Sequence, residues 1–247
     1  MWSIFRKEIG SFFISLTGYV VIGVFLALLG LTMWVFPDYS ILNYNYATLG
    51  QLFDIAPMIF LFLIPAVCMR SFSEERQTGT IETLYTKPLT EWDIVLGKFF
   101  GALFLVFVAL IPTILYYYSI VQLGSPQGNI DSGEVIGSYI GLFLLSAIFV
   151  AISILASVLS TNQIIAFLVS AFLCFVFYWG FQFISSAPAL VGSWDHILQK
   201  IGIDHHYRSI SQGAVDSRDL IYFLSVIFLF LYLTYFALIE KKNQGQA

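Results

Sequence analysis

The chain has 247 residues, 59% hydrophobic and 11% charged, with a mean hydropathy of +0.86. A soluble domain carries about a quarter charged residues, so this composition excludes a soluble globular enzyme and fits an all-α polytopic membrane protein. The net charge of −4 shows no nucleic-acid footprint, and at ~20 residues per crossing the length accommodates about five to seven spans.

Met1 to Gly10 mixes Trp2, Ile4, Phe5 and Ile9 with Arg6, Lys7 and Glu8, the pattern of a short interfacial helix over residues 1–10 resting on membrane lipid. No charge occurs from Ile9 to Pro37. That run is too long for a signal-peptide core and lacks a clear small-residue cleavage site, so a retained first span is predicted at about 12–35. Tyr39, Tyr44 and Tyr46 then suit an interface. A second span is predicted at about 52–70, containing Pro57 and Pro65 and kinked at the latter.

Arg70 to Gly101 is a polar island with four of the eleven Lys and Arg residues (Arg70, Arg76, Lys87, Lys98) and five acids (Glu74, Glu75, Glu82, Glu91, Asp93). Its first part, 71–94, must sit in water. Gly79 permits a backbone turn and Thr80 can cap the helix that follows. Ile81, Leu84 and Tyr85 fall at i, i+3 and i+4 and form an apolar stripe, which Pro88 terminates. Thr90 and Asp93 have capping-box spacing, so a new helix starts there with Glu91 and Asp93 in its positive first turn. The stripe and its charged rim (Glu74, Glu75, Arg76, Glu82) could form a peg for a partner's groove, or the segment could simply join two spans and rest on lipid.

Later spans are predicted at about 95–123, 137–159, 164–186 and 220–239, with the tight polar turn SerThrAsnGln at 160–163 and an external loop at 187–219. Gly133, Gly137 and Gly141, followed by Ala147, Ala151, Ser153 and Ser157, place small residues along the fourth span and predict close helix packing. Six spans put both termini on one side. That side would carry eight Lys and Arg (Arg6, Lys7, Arg70, Arg76, Lys87, Lys98, Lys241, Lys242) against three opposite (Lys200, Arg208, Arg218), so the termini and the 71–94 loop are expected in the cytoplasm.

The chemistry-bearing candidates are few. Cys68 and Cys174 lie in apolar runs without CxxC spacing and read as packing residues. His196, His205 and His206 beside Asp195 and Asp204 have ligand types suited to zinc or copper, but without a second fixed-spacing pair a solvated loop is the better account. No GxSxG or HExxH occurs. The one Gly-Lys pair, Gly97-Lys98, has Trp92 where a phosphate loop needs its first glycine and Phe99 where it needs a hydroxyl, so the chain holds no such ATP site. The charge-free stretches of the spans also lack the carboxylates or cations that ion-coupled transport uses. Energy would come from another subunit.

The run Glu75-Arg76-Gln77-Thr78-Gly79-Thr80-Ile81-Glu82-Thr83-Leu84, then Lys87-Pro88-Leu89-Thr90 and Gly97-Lys98, resembles the signature between the second and third spans of type-2 ABC transporter (ABC-2) permeases. HYRSISQGAVDSRDLIYF at 206–223 is similar to the external loop of those permeases, particularly in gliding-motility and nitrous-oxide-reductase maturation systems. The resemblance implies one transmembrane domain over 1–247 and a non-catalytic, cofactor-free subunit in a bacterial inner membrane. It implies as partners a cytoplasmic ABC ATPase and a second permease copy or related transmembrane subunit. It further implies that Glu75, Arg76, Gly79, Thr80, Ile81, Glu82, Leu84 and Tyr85 form a cytoplasmic coupling helix and its approach. The alternatives are a permease for another cargo, such as a lipid, a polysaccharide or a copper or sulfur species, and a membrane scaffold that transports nothing.

Overall fold

Hydrocarbon offers no hydrogen bonds, so an apolar chain must satisfy its backbone within its own helices. The computed structural model is accordingly all-α and describes residues 1–37, 40–43, 47–186, 199–213 and 216–245, excluding the side chains of Leu42, Tyr85 and Gln244. Among the described residues, six helical segments are long and apolar enough to cross a membrane: Leu16–Trp34, Gly50–Gln77, Glu91–Leu123, Ser132–Leu159, Gln163–Ser185 and Ser217–Asn243.

Helix α1 (Trp2–Ile14) precedes the first span and is separated from α2 (Leu16–Trp34) by Ser15 in an extended conformation. Burial of Ile4, Glu8 and Phe12 at four-residue spacing gives α1 a single inward face. The second span runs as α3 (Gly50–Cys68) through both Pro57 and Pro65, and the helix is interrupted at Met69. It resumes as α4 (Arg70–Gln77), so much of the expected loop is helical. After the short α5 (Ile81–Tyr85), the third span comprises α6 (Glu91–Leu110), a 3₁₀ turn at Ile111–Thr113 and α7 (Ile114–Leu123). Pro112 cannot donate to the helical ladder there, and Thr113 bridges the turn by donating to the Leu110 carbonyl at 2.6 Å and meeting the Tyr139 hydroxyl at 3.0 Å.

Helix α8 (Ser132–Leu159) is the axis of the bundle. Its apolar window is 83% buried, against 22% for the first and fifth spans and 28% for the last, whose outer faces are left to lipid. Close approach to α8 follows from its small residues. A Cβ on Gly141 would lie 3.1 Å from Ile210, and Ser170 of α9 (Gln163–Phe175) donates to Ser153 at 2.6 Å. Gly137 is buried, but Gly133 is exposed in the first turn, where its amide donates to the capping carboxylate of Asp131 at 2.8 Å. Asn162 in the predicted tight turn caps α9 through the Ile164 amide at 2.8 Å. Beyond α9 a π-helical turn at Val176–Gly180 leads into α10 (Phe181–Ser185). Cys68 and Cys174 are both buried and free.

Two pairs bring the chain ends together: the N-terminal ammonium meets Asp93 at 2.9 Å, and Lys242 of α12 (Ser217–Gly245) meets Glu91 at 2.7 Å. The opposite end is closed by α11 (Ile203–Ser211), which buries Ile203, Tyr207 and Ile210 against α8 and α12. Tyr207 has a specific task. Pro57 lacks the N–H that would bond the Phe53 carbonyl one turn back, and the Tyr207 hydroxyl donates to that carbonyl at 2.6 Å. Burial pushes the phenol's pKa well above its ordinary value, so it remains a donor. Tyr207→Phe is expected to destabilise the protein by roughly 1–3 kcal/mol, and the loss should shrink in a Pro57→Ala background, where an amide is available to the carbonyl. Thermal unfolding of the four proteins in detergent tests this; equal losses in both backgrounds would exclude the role.

Candidate functional site

The polar end of the bundle is built around a buried lysine. Gly97 and Gly101 stand one above the other on α6 and admit α1 at very short range. A Cβ on Gly97 would lie 2.7 Å from the Ile4 Cβ, and one on Gly101 would lie 2.7 Å from the Glu8 Cβ. This contact sets Glu8 beside Lys98, whose side chain is 1% exposed. The Lys98 ammonium lies 2.9 Å from Glu8 Oε1 and 3.1 Å from Glu75 Oε2, donates to the Ser71 carbonyl at 2.5 Å, and sits 4.8 Å from the centre of the Phe72 ring. Lys7 completes the group by donating to Glu75 Oε1 at 2.6 Å. Two lysines and two glutamates thus balance in charge and join three elements, α1, α4 and α6.

A second attachment holds α4 to the core. Beyond the interruption at Met69, the amides of Phe72 and Ser73 in the first turn of α4 donate to Ser157 Oγ of α8 at 2.9 and 3.2 Å. Ser157 in turn donates to the Met69 carbonyl at 3.0 Å, and Ser73 Oγ donates to the same carbonyl. One hydroxyl from the central helix therefore caps α4 from outside.

Past α4 the chain turns at Gly79, whose φ of +70° lies in the left-handed region that glycine adopts without penalty. Thr80 occupies the N-cap position of α5 but makes no side-chain cap, contrary to expectation. Its backbone is already helical (φ −73°, ψ −11°), which turns the hydroxyl away from the amides of α5 and toward Thr78 at 3.0 Å and the Glu75 carbonyl at 3.4 Å. The predicted apolar stripe faces inward: Leu84 is 7% exposed, and Ile81 is half-buried against the core. The Tyr85 side chain lies outside the described residues. What this end presents is polar, namely Gly79, Thr80, Glu82, Thr83, Thr86 and Lys87. Glu75 belongs to the buried ion group, and Arg76 on the same helix is half-buried.

The start of α6 carries the predicted capping box. Thr90 Oγ1 accepts from the Asp93 amide at 3.2 Å, and Asp93 Oδ2 accepts from the Thr90 amide at 3.2 Å. Trp92 stacks on Tyr235 of α12 with ring centres 4.7 Å apart, beside the Glu91–Lys242 pair. Lys98 and Glu8 were not singled out from sequence as site residues, although a signal was present. Gly97 and Gly101 have the four-residue spacing of a close helix contact, and Lys98 sits between them, inside an apolar run.

At the opposite end the rings of His205 and His206 lie 5.4 Å apart. His206 is engaged at both ring nitrogens, Nδ1 with Asp219 Oδ1 at 2.6 Å and Nε2 with the Lys200 carbonyl at 2.8 Å, and stacks on Tyr222 with ring centres 3.9 Å apart. Asp204 pairs with Arg208 at 2.9 Å. Asp195 and His196 lie outside the described residues. Among the described residues, no group of three or more His, Cys, Asp or Glu could hold a metal ion.

Among the described residues, six helices long and apolar enough to cross a membrane pack around a small-residue central one, with α1 against the third and a polar elbow between the second and third. The family model described as "ABC-2 family transporter protein" matches residues 2–243, so the chain belongs to the ABC-2 transporter family. No curated protein matches it. Permeases of this family are membrane subunits that work with ATPase partners.

Lys98→Met leaves Glu8 as a buried anion without its cation and Glu75 with Lys7 alone, and is expected to lower stability by roughly 3–5 kcal/mol. The triple variant Lys98→Met, Glu8→Gln, Glu75→Gln removes all three charges and should recover most of that loss. Thermal unfolding in detergent reads both; a Lys98→Met protein as stable as the wild type would show that the ion group is not structurally important.

Proposed function

We propose that this chain is the permease subunit of an ATP-driven transporter, docking a separate cytoplasmic ATPase through the segment from Glu75 to Tyr85. The termini and the 71–94 segment would then be cytoplasmic, as the excess of Lys and Arg at that end supports. One observation carries the reading: the outward polar face of Gly79, Thr80 and Glu82 is anchored to α1 and α6 through Glu75 and to α8 through Ser157. A displacement imposed on α5 would reach three other helices through hydrogen bonds and ion pairs. A loop that only linked two spans would need no such anchoring. Closure of two ATPases across a pair of permeases, either two copies or one copy with a related subunit, would tilt the spans and open a path between them. The prolines of α3 and the small-residue face of α8 would accommodate that tilt.

The narrower reading is a gliding-motility-associated export complex in a bacterial inner membrane. It rests on the likeness of the 75–98 signature and the 206–223 segment to such permeases.

The test is affinity purification of the tagged chain in mild detergent, with mass spectrometry and an ATPase assay on the eluate. A nucleotide-binding subunit should co-purify, and Glu82→Lys should lower the recovered ATPase activity about tenfold while the permease itself still inserts, as expected when one central docking contact is reversed in charge. Undiminished activity in that variant would remove the docking assignment. Recovery of the chain without any ATPase would favour a membrane scaffold.

A further inference from the structure

A polar cleft of about 460 Å³ opens between α1, the start of α2 and α4, beside the buried ion group. Its charges fall into two sets. Lys7, Glu8, Glu75 and Lys98 are consumed by one another. Arg70 and Glu74 also line the cleft, both exposed, and neither forms an ion pair among the described residues. They stand four apart on α4, where they could pair, but the order Arg before Glu is the weaker of the two arrangements on a helix. Across the cleft, Ser11 and Thr17 offer hydroxyls that make no hydrogen bond among the described residues. Ser15 also lines the cleft, and its chain neighbours Ile14 and Leu16 are 91% and 78% exposed and have hydrocarbon as their natural surroundings. One cation and one anion a helical turn apart, neither in an ion pair among the described residues, and two hydroxyls therefore line one cleft where α1 gives way to α2, next to two exposed apolar side chains in the chain.

We propose that this cleft binds the zwitterionic headgroup of an aminophospholipid, with the phosphate on Arg70 and the Ser11 and Thr17 hydroxyls, and the primary ammonium on Glu74. Guanidinium binds phosphate through paired charge-assisted hydrogen bonds, and a carboxylate accepts N–H bonds that a quaternary amine cannot supply. The acyl chains would run over Ile14 and Leu16 into the bilayer. An anionic headgroup without an amine would meet Arg70 but would also face the uncompensated carboxylate of Glu74. The bound lipid would hold α1 against α4 from the membrane side, while Lys98 holds them from the protein side.

The test is binding to the purified full chain in detergent, measured by native mass spectrometry and by thermal shift with phosphatidylethanolamine, phosphatidylcholine, phosphatidylglycerol and free phosphoethanolamine. Phosphatidylethanolamine should bind most tightly. Arg70→Gln should weaken it about tenfold, Glu74→Gln should abolish its advantage over phosphatidylcholine, and Arg218→Gln at the opposite end should change neither. Both substituted positions are exposed, and a single symmetric gel-filtration peak confirms that the variants fold. Equal binding of the three lipids by the wild type, or an Arg70→Gln protein that binds them as the wild type does, would overturn the proposal. Free phosphoethanolamine binding as tightly as the lipid would overturn the lipid source and assign the cleft to a soluble phosphoamine.

Discussion

The arrangement of the polar end depends on the burial of the Lys98 ammonium. A lone ammonium in a low-dielectric interior is prohibitively unfavourable, so Lys98 can be buried only where two carboxylates and a carbonyl converge on it. Those groups come from different places: Glu8 from α1, Glu75 and Ser71 from the extension of the second span. Such a group contributes little net stability compared with a well-packed apolar core. Its consequence is geometric, because α1, α4 and α6 must arrive together or leave a charge stranded. The notches at Gly97 and Gly101 seat Ile4 and Glu8, and an ion group with one cation between two anions fixes the same register.

This register gives mechanical meaning to the elbow. Helix α4 is tied to α1 and α6 by Glu75 and to α8 by Ser157, so it has little freedom to rotate alone. Helix α8 in turn touches most of the bundle and is buried along nearly its whole length. A force applied at α5 would therefore be spread over the spans rather than absorbed in a loop. The glycine at position 79, with its positive φ, lies between α4 and α5, where compliance would be least harmful to the anchors.

The six spans were legible because hydropathy and charge-free length are properties of contiguous sequence, and the capping box at Thr90 and Asp93 and the turn at Gly79 were legible because they are local as well. Four features were not. Lys98 counts as a water-facing charge in any tally along the chain, since the acids that bury it lie 90 and 23 positions away in sequence, at Glu8 and Glu75. The stripe of Ile81 and Leu84 has the right spacing to face a partner, but spacing cannot say whether a face turns outward or back to its own core. Thr80 is the right residue for a cap, and its helical backbone directs its hydroxyl elsewhere. The role of Tyr207 depends on a missing amide at Pro57, a relation across 150 residues that no periodicity contains.

The inward stripe bears on the nature of the proposed docking. An apolar peg exposed on a membrane protein would need continuous cover, since an uncovered patch promotes association with other apolar surfaces. A face made of Gly79, Thr80, Glu82, Thr83 and Lys87 is stable in water without a partner. Contacts of this kind are screened by salt and released more readily than buried apolar ones, and they favour orientation and rapid encounter over permanence. A subunit that must follow its motor through repeated openings and closures gains from that combination only if the face itself does not deform, and the ion group behind Glu75 supplies the stiffness that the polar surface lacks.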